Sequence, residues 1–355
     1  MKHLSLLGFA TALLLSVSGP VAAQNYTVTD LGTLRGDNAG GSLAMGINNL
    51  GQVVGVADTD QGTRRAFLWN PGTGIVDLRN NGVTLNGSRS AATAINDNAV
   101  IVGEANIPPS GGNPFEFSHA FVYNPGAGII DLNGQVTFLG GQNSRTTAVN
   151  ASGQSCGLAQ DLQGNWRAFR YSLASGLVDL GTLGGIQSRA NGLNDQFEVA
   201  GAADAPDGSV RATLWSPTRG RFTFYFNRSR VSEAYDVNNA GLVVGSGLVG
   251  KNTQAFSADT VGLVFGALKG RSGAKVTVAH AVNNGGQIVG WSGGVGAPLQ
   301  RATTWINRRL IDLNSRIPRG SGWVLWRALD INEEGQIVGE GRFNGQSRAF
   351  LLTPQ

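Results

Sequence analysis

Short apolar runs, each closed by glycine, asparagine or aspartate, fill the chain from Tyr26 to Leu352. Runs this short between turn formers predict strands rather than helices. One pattern of apolar, small and polar positions returns seven times: small-x-x-apolar-Asn-x-x-Gly-x-apolar-apolar-Gly. Its first copy runs from Ala44 through Ile47, Asn48 and Gly51 to Gly55. The repeated asparagines are Asn48, Asn96, Asn150, Asn194, Asn238, Asn283 and Asn332, spaced 48, 54, 44, 44, 45 and 49 residues apart. The closing glycines are Gly55, Gly103, Gly157, Gly201, Gly245, Gly290 and Gly339. Asn tolerates positive φ and bonds its own backbone, so Asn-x-x-Gly predicts a hairpin turn between a first and a second strand.

A second motif follows each first one, as Arg65-Ala66-Phe67, His119-Ala120-Phe121, Arg167-Ala168-Phe169 and so on to Arg348-Ala349-Phe350. A third closes several repeats, as Asp77-Leu78, Asp131-Leu132, Asp179-Leu180 and Asp312-Leu313. Each repeat therefore predicts four short antiparallel strands, and such units at this period are the signature of a propeller. The last repeat lacks its fourth strand, while Tyr26–Leu31 is a fourth strand without a repeat. The expected fold is all-β: a seven-bladed β-propeller over residues 24–355, its last blade completed by the N-terminal strand. A linear solenoid has no need of that complementary fragment.

The recurring words Ala-Phe-Leu-Trp, Asp-Leu-Gly-Thr-Leu and Ile-Asn-x-x-Gly-Gln-Val-Val-Gly resemble the HAF-type extracellular repeat family across nearly the whole chain. The resemblance implies a secreted bacterial repeat protein and no particular reaction. Only His119 keeps the histidine of the family name; most repeats carry Arg there.

Composition sharpens this picture in three places. Lys2, the apolar run Leu4–Val17 and Val21-Ala22-Ala23 predict a signal peptide over residues 1–23 and a secreted or periplasmic protein. No other segment is apolar enough to span a bilayer, and no C-terminal anchor is expected. The single cysteine, Cys156, excludes an intramolecular disulfide and occupies a slot that most repeats fill with Val or Ile. The net charge of +4 permits an anionic partner without demanding one. Dispersed positive charge on an exported chain argues against nucleic acid. No metal-ligand spacing exists and no cofactor is expected. A monomer is expected.

Seven copies separate fixed from free positions. The asparagines read as turn formers, and the aspartates of the Asp-Leu pairs as turn or edge caps. Exceptions gather in repeats five to seven. Asp236 and Asp330 stand in a slot that is Gly or Ala in the other five repeats, and Tyr235 and His280 stand one slot earlier in their repeats. Four residues before the apolar position come Arg145, Arg189, Glu233 and Arg327. In a propeller the first strand is innermost, so these side chains are expected at one mouth of the channel, with Trp291, Trp323 and Trp326 in the same half. Tyr235, His280, Asp236 and Asp330 are candidates for proton transfer, and Arg327, Glu233 and the three tryptophans for ligand binding. The competing reading makes Asp236 and Asp330 structural, paired with Arg327 or with backbone amides. Two functions follow: a module that binds an extracellular glycan or protein through variable loops such as Asn106–Phe117, or a carbohydrate-active enzyme. The enzyme would be a lyase with Arg against a uronate and Tyr235 or His280 as base, rather than a hydrolase on two carboxylates.

Overall fold

A computed structural model describes residues 24–108, 116–133, 140–226, 229–260, 265–296 and 299–355. The expected signal peptide and most of the Asn106–Phe117 loop lie outside these residues. Twenty-eight strands, β1 to β28 in chain order, form among the described residues. β1 is Tyr26–Asp30, and the first repeat supplies β2 (Ser42–Ile47), β3 (Val53–Asp58), β4 (Arg64–Asn70) and β5 (Gly74–Asp77). The inner strands of the next five repeats are β6 (Ser90–Ile95), β10 (Gly140–Val149), β14 (Ser188–Leu193), β18 (Ser232–Val237) and β22 (Val276–Val282). The last repeat supplies β26 (Trp323–Ile331), β27 (Ile337–Phe343) and β28 (Gln346–Pro354).

The strands form five four-stranded antiparallel sheets and one eight-stranded sheet, the latter two antiparallel runs joined at one parallel bridge, Thr253 to Val276. β1 pairs antiparallel with β28 from Tyr26–Pro354 to Asp30–Phe350, so the N-terminal strand does complete the last sheet. This covers an edge that would otherwise stand open to another chain.

Each motif residue has a local reason. Asn48 starts the turn: its amide donates to the Gln52 carbonyl at 3.1 Å, and its Oδ1 accepts from the Leu50 and Gln52 amides. Gly51 takes φ of 73° there. Gly55 is glycine for another reason, close approach. A Cβ on it would lie 2.0 Å from the Leu43 carbonyl oxygen and 2.9 Å from the Phe67 ring. The other six closing glycines stand 1.9–2.1 Å, measured the same way, from the equivalent carbonyl of their own inner strand. Asp77, Asp131, Asp179 and Asp312 each accept the amide two residues on, which caps the turn leaving the outer strand. Three of them also pair with the third-strand motif: Arg65–Asp77, His119–Asp131 and Arg167–Asp179.

The core lies between sheets rather than at the centre. Phe67, Ala44 and Val53 pack with Val338, Ala349 and Leu351 of the last repeat, while Ala66 and Val54 pack with Phe121 and Ile101 of the second. Burying a side chain such as Phe67 contributes about 2–3 kcal/mol.

Gly55→Ala should lower stability by about 2 kcal/mol, because both the Leu43 carbonyl and the Phe67 ring must move. Gly126→Ala, where the nearest such contact is 3.7 Å, should stay within about 0.5 kcal/mol. Denaturant melts compare the two, and equal costs would refute the close-approach account.

Candidate functional site: the channel lining

Neighbouring inner strands touch around a closed circuit, β2–β6–β10–β14–β18–β22–β26 and back to β2. They enclose an axial cavity of about 270 Å³ lined from all seven repeats. Seven hydrogen bonds tie the circuit at its asparagine end. The side-chain Nδ2 of Asn48 donates to the Asn96 carbonyl, Asn96 to Asn150, Asn150 to Asn194, Asn194 to Asn238, Asn238 to Asn283, Asn283 to Asn332 and Asn332 to Asn48, all at 2.9–3.2 Å.

Because the Asn48 amide points back to its own sheet, the preceding Ile47 amide points into the channel. Asp330 caps it: Oδ2 accepts from Ile47 at 2.9 Å and Oδ1 from Ile331 at 2.8 Å. Asp236 does the same with Val282 at 2.9 Å and Val237 at 2.8 Å. Each carboxylate thus staples its own repeat to the next. The room comes from neighbours: a Cβ on Gly192 would lie 2.7 Å from Asp236 Oδ1. Burial pushes Asp236 up to about 6 and Asp330 up to about 7, against the amides that pull both down. Outside them an exposed rim carries Asp97, Asp195 and Glu333, which accept the amides of Asn49, Ala151 and Asn284.

Tyr235 and His280 sit one level further in. Their rings stack at 5.6 Å and 16°, and Trp291 lies 5.4 Å beyond His280. His280 Nδ1 stands 2.8 Å from the Leu329 carbonyl, so it carries the proton and Nε2 is left as an acceptor. Burial, and less so the charge of Arg327, lowers the histidine pKa. Burial, then Glu233, pushes the Tyr235 phenol up to about 12, with Arg189 acting the other way. The ring is therefore neutral and the phenol protonated at pH 7.

The third level holds the charged residues four before each apolar position. Arg327 is neutralised by an ion pair with Glu340, which faces it across the β26–β27 ladder. Glu233 accepts from Asn191 Nδ2 at 2.9 Å. Opposite Arg145 and Arg189 stand Leu158 and Ala202, which offer no charge. Among the described residues neither guanidinium has an ion pair or a hydrogen bond.

Three expectations are corrected here. Tyr235, His280, Arg327, Asp236 and Asp330 do not all meet at one mouth: Asp236 and Asp330 line the cavity at the asparagine end, whereas the other three do not line it. Arg327 is the partner of Glu340, not of either buried aspartate. Trp323 is a core residue, 9% exposed and stacked 4.9 Å from Phe343, so it is not open to a ligand. Both Trp323 and Trp326 belong to β26, and Trp326 sits at a bulge beside Arg327. Cys156 is buried, and burial pushes its thiol up to about 12, which removes it as a nucleophile at neutral pH.

What sequence reasoning passed over is the difference between Arg327 and its two counterparts. The signal was present: the residue after each closing glycine faces the arginine slot, and it is Glu340, Leu158 or Ala202.

No family model and no curated protein matches the chain. Solved structures do resemble it. It is similar to oligogalacturonate lyase from Vibrio parahaemolyticus at 9% identity and a TM-score of 0.55, over 94% of this chain and 97% of that one. It is similar to the beta-propeller domain of the Trilobed protease from Pyrococcus furiosus at 10% identity and a TM-score of 0.52, over 92% and 93%. TolB from Acinetobacter baumannii aligns with 73% of this chain at 11% identity and a TM-score of 0.44, and the chain spans 64% of that protein's length. The first two likenesses establish the fold, a β-propeller, and only the fold. No helix among the described residues is long and apolar enough to cross a membrane.

The raised carboxyls set a direction for pH dependence. A carboxyl whose pKa is higher folded than unfolded holds more proton in the folded state, so its contribution falls as pH rises through the interval between the two values. Tm should therefore fall between about pH 4 and pH 7 for the part due to Asp236 and Asp330. The Asp236→Asn/Asp330→Asn double variant should flatten that slope while costing about 1–3 kcal/mol for misdirected amides. An unchanged slope, read by calorimetry across this range, would show that neither group titrates there.

Proposed function

We propose that the chain is a secreted seven-bladed β-propeller that binds an extracellular anionic ligand, such as an acidic glycan, at the arginine end of its channel. The blade number is supported by the closed ring of seven asparagines and by the division of the eight-stranded sheet at a single bridge. Secretion is supported by the N-terminal sequence, and membership of the HAF-type repeat proteins by the recurring words. The observation that carries the binding reading is the pair Arg145 and Arg189. They stand on adjacent inner strands, β10 and β14, in a channel where other charged groups at their level are already satisfied. Desolvated guanidinium–carboxylate contacts are among the stronger polar interactions available to a binding site.

Titration with oligogalacturonate, followed by calorimetry, should show binding that Arg145→Ala and Arg189→Ala each weaken about tenfold or more. Neither variant should move Tm by more than a few degrees, since among the described residues neither guanidinium has an ion pair or hydrogen bond to lose. Arg327→Ala should instead lower Tm, because it strands Glu340. Binding that ignores Arg145 and Arg189 would end this reading.

One observation favours a second reading, a polysaccharide lyase. His280 is left with an unprotonated Nε2, and its ring stacks on that of Tyr235, whose hydroxyl stays protonated. In β-elimination His280 would take the proton α to a uronate carboxylate. The electron pair would form the new carbon–carbon double bond as the glycosidic carbon–oxygen bond breaks, and Tyr235 would protonate the leaving oxygen. A hydrolase on Asp236 and Asp330 is disfavoured, because each carboxylate is committed to two amides. The lyase predicts an ultraviolet-absorbing unsaturated product from oligogalacturonate that His280→Ala abolishes. No product at high protein concentration leaves binding alone.

A further inference from the structure

Seven of the ten large apolar side chains most exposed among the described residues lie at the arginine end, in loops or strand ends of repeats three to six. Six are aliphatic: Leu162, Ile186, Val231, Leu248, Val295 and Leu299. The position of each follows from the topology. Leu162 turns β11 (Ser155–Asp161) into β12 (Trp166–Ser172) beside the start of β10, where a Cβ on Gly140 would meet it at 2.6 Å. Ile186 precedes β14, and Leu248 donates its amide to the Val231 carbonyl at 2.8 Å just before β18. Singly exposed apolar residues need no explanation, but this many at one end of the fold do. Leu162 is 78% exposed. Arg145 and Arg189 open at the same end, on the inner strands of two of these repeats.

We infer that the anion bound there is an acidic side chain of a polypeptide, and that aliphatic residues flanking it rest on this arc. The inference rests on the anion-binding reading and narrows it. Saccharide rings are held by open aromatic faces. Among the described residues the one exposed aromatic in the arc is Tyr225, and the Arg211 guanidinium already lies over one face of its ring at 4.7 Å. Leucine, isoleucine and valine offer no such face, yet they match the branched side chains of a protein strand or loop. Charge selects the partner: two guanidiniums without an ion pair among the described residues, at the same end as an apolar arc, favour a carboxylate with apolar neighbours over a uniformly acidic segment.

Fluorescence anisotropy with a labelled peptide of alternating glutamate and leucine, a second of alternating glutamate and serine, and unlabelled oligogalacturonate as competitor tests this. The glutamate–leucine peptide should bind about tenfold or more tighter than the glutamate–serine peptide. The Leu162→Ser/Ile186→Ser variant should erase that preference without moving Tm or the oligogalacturonate affinity. Arg145→Ala/Arg189→Ala should abolish binding of every probe. Equal affinity for the two peptides, or a preference that survives Leu162→Ser/Ile186→Ser, overturns the polypeptide inference. Arginine-dependent oligogalacturonate binding would then still uphold the anion-binding reading. Peptide binding that ignores both arginines overturns the two together.

Discussion

Everything in this fold hangs on the asparagine side chain that opens each turn. Its Oδ1 folds its own hairpin by accepting backbone amides, as Asn48 does from Leu50 and Gln52. Its Nδ2 at the same time reaches the main-chain carbonyl of the next asparagine. No other residue serves both ends at this length. Aspartate has no donor, serine has too short a reach, and glutamine would displace the turn. Local hairpin geometry and closure of the whole ring are thus one constraint, satisfied once per repeat. Buried polar groups left unmade are costly, so the ring behaves as a set rather than as seven independent bonds.

A ring fixed at that end frees the rest of each inner strand. Between the asparagines and the far loops the channel-facing sequence varies, though Thr93, Thr147, Asn191 and His280 each still bond a carbonyl of the next repeat. Asp236 and Asp330 show how far the variation goes. A carboxylate enters a slot otherwise Gly or Ala, and the structure turns it into a further link between repeats by giving it two amides. The same freedom at the third level yields Glu340-bound Arg327 in one repeat and two unneutralised arginines in others.

How legible this was depended on whether a property was local to the repeat. The turns, the strand order and the completing role of Tyr26–Leu31 follow from periodic local signals, and the pairing of β1 with β28 bears them out. The Asp-Leu aspartates read as caps and are caps, since the Asx turn needs only its own neighbours. That the closing glycines are required by size, and not by positive φ, only the packed structure shows. Trp323 could not be placed from sequence, because its burial depends on Phe343 and Phe350 across two further strands. Arg327 was singled out over Arg145 and Arg189 because deviation from the repeat was weighed without the cross-strand residue that neutralises it.

The two ends of the channel carry different charge patterns, and that difference bears on how anything enters. At the asparagine end Asp97, Asp195 and Glu333 ring the opening, with Asp236 and Asp330 behind them. Their oxygens are engaged by amides, but hydrogen bonding does not remove charge, and it holds the rim carboxylates in place. At the other end Arg145 and Arg189 have no ion pair among the described residues, and Glu233 at their level has a hydrogen bond but no ion pair either. Field lines in a narrow protein-walled passage are focused rather than screened as in bulk water. The carboxylate rim therefore disfavours an anion at the asparagine opening, while at the far end Arg145 and Arg189 offer countercharge beside the carboxylate of Glu233. How an anion would meet the channel thus depends on the charges the repeats place at each level, while the asparagine ring that holds those levels apart is indifferent to them.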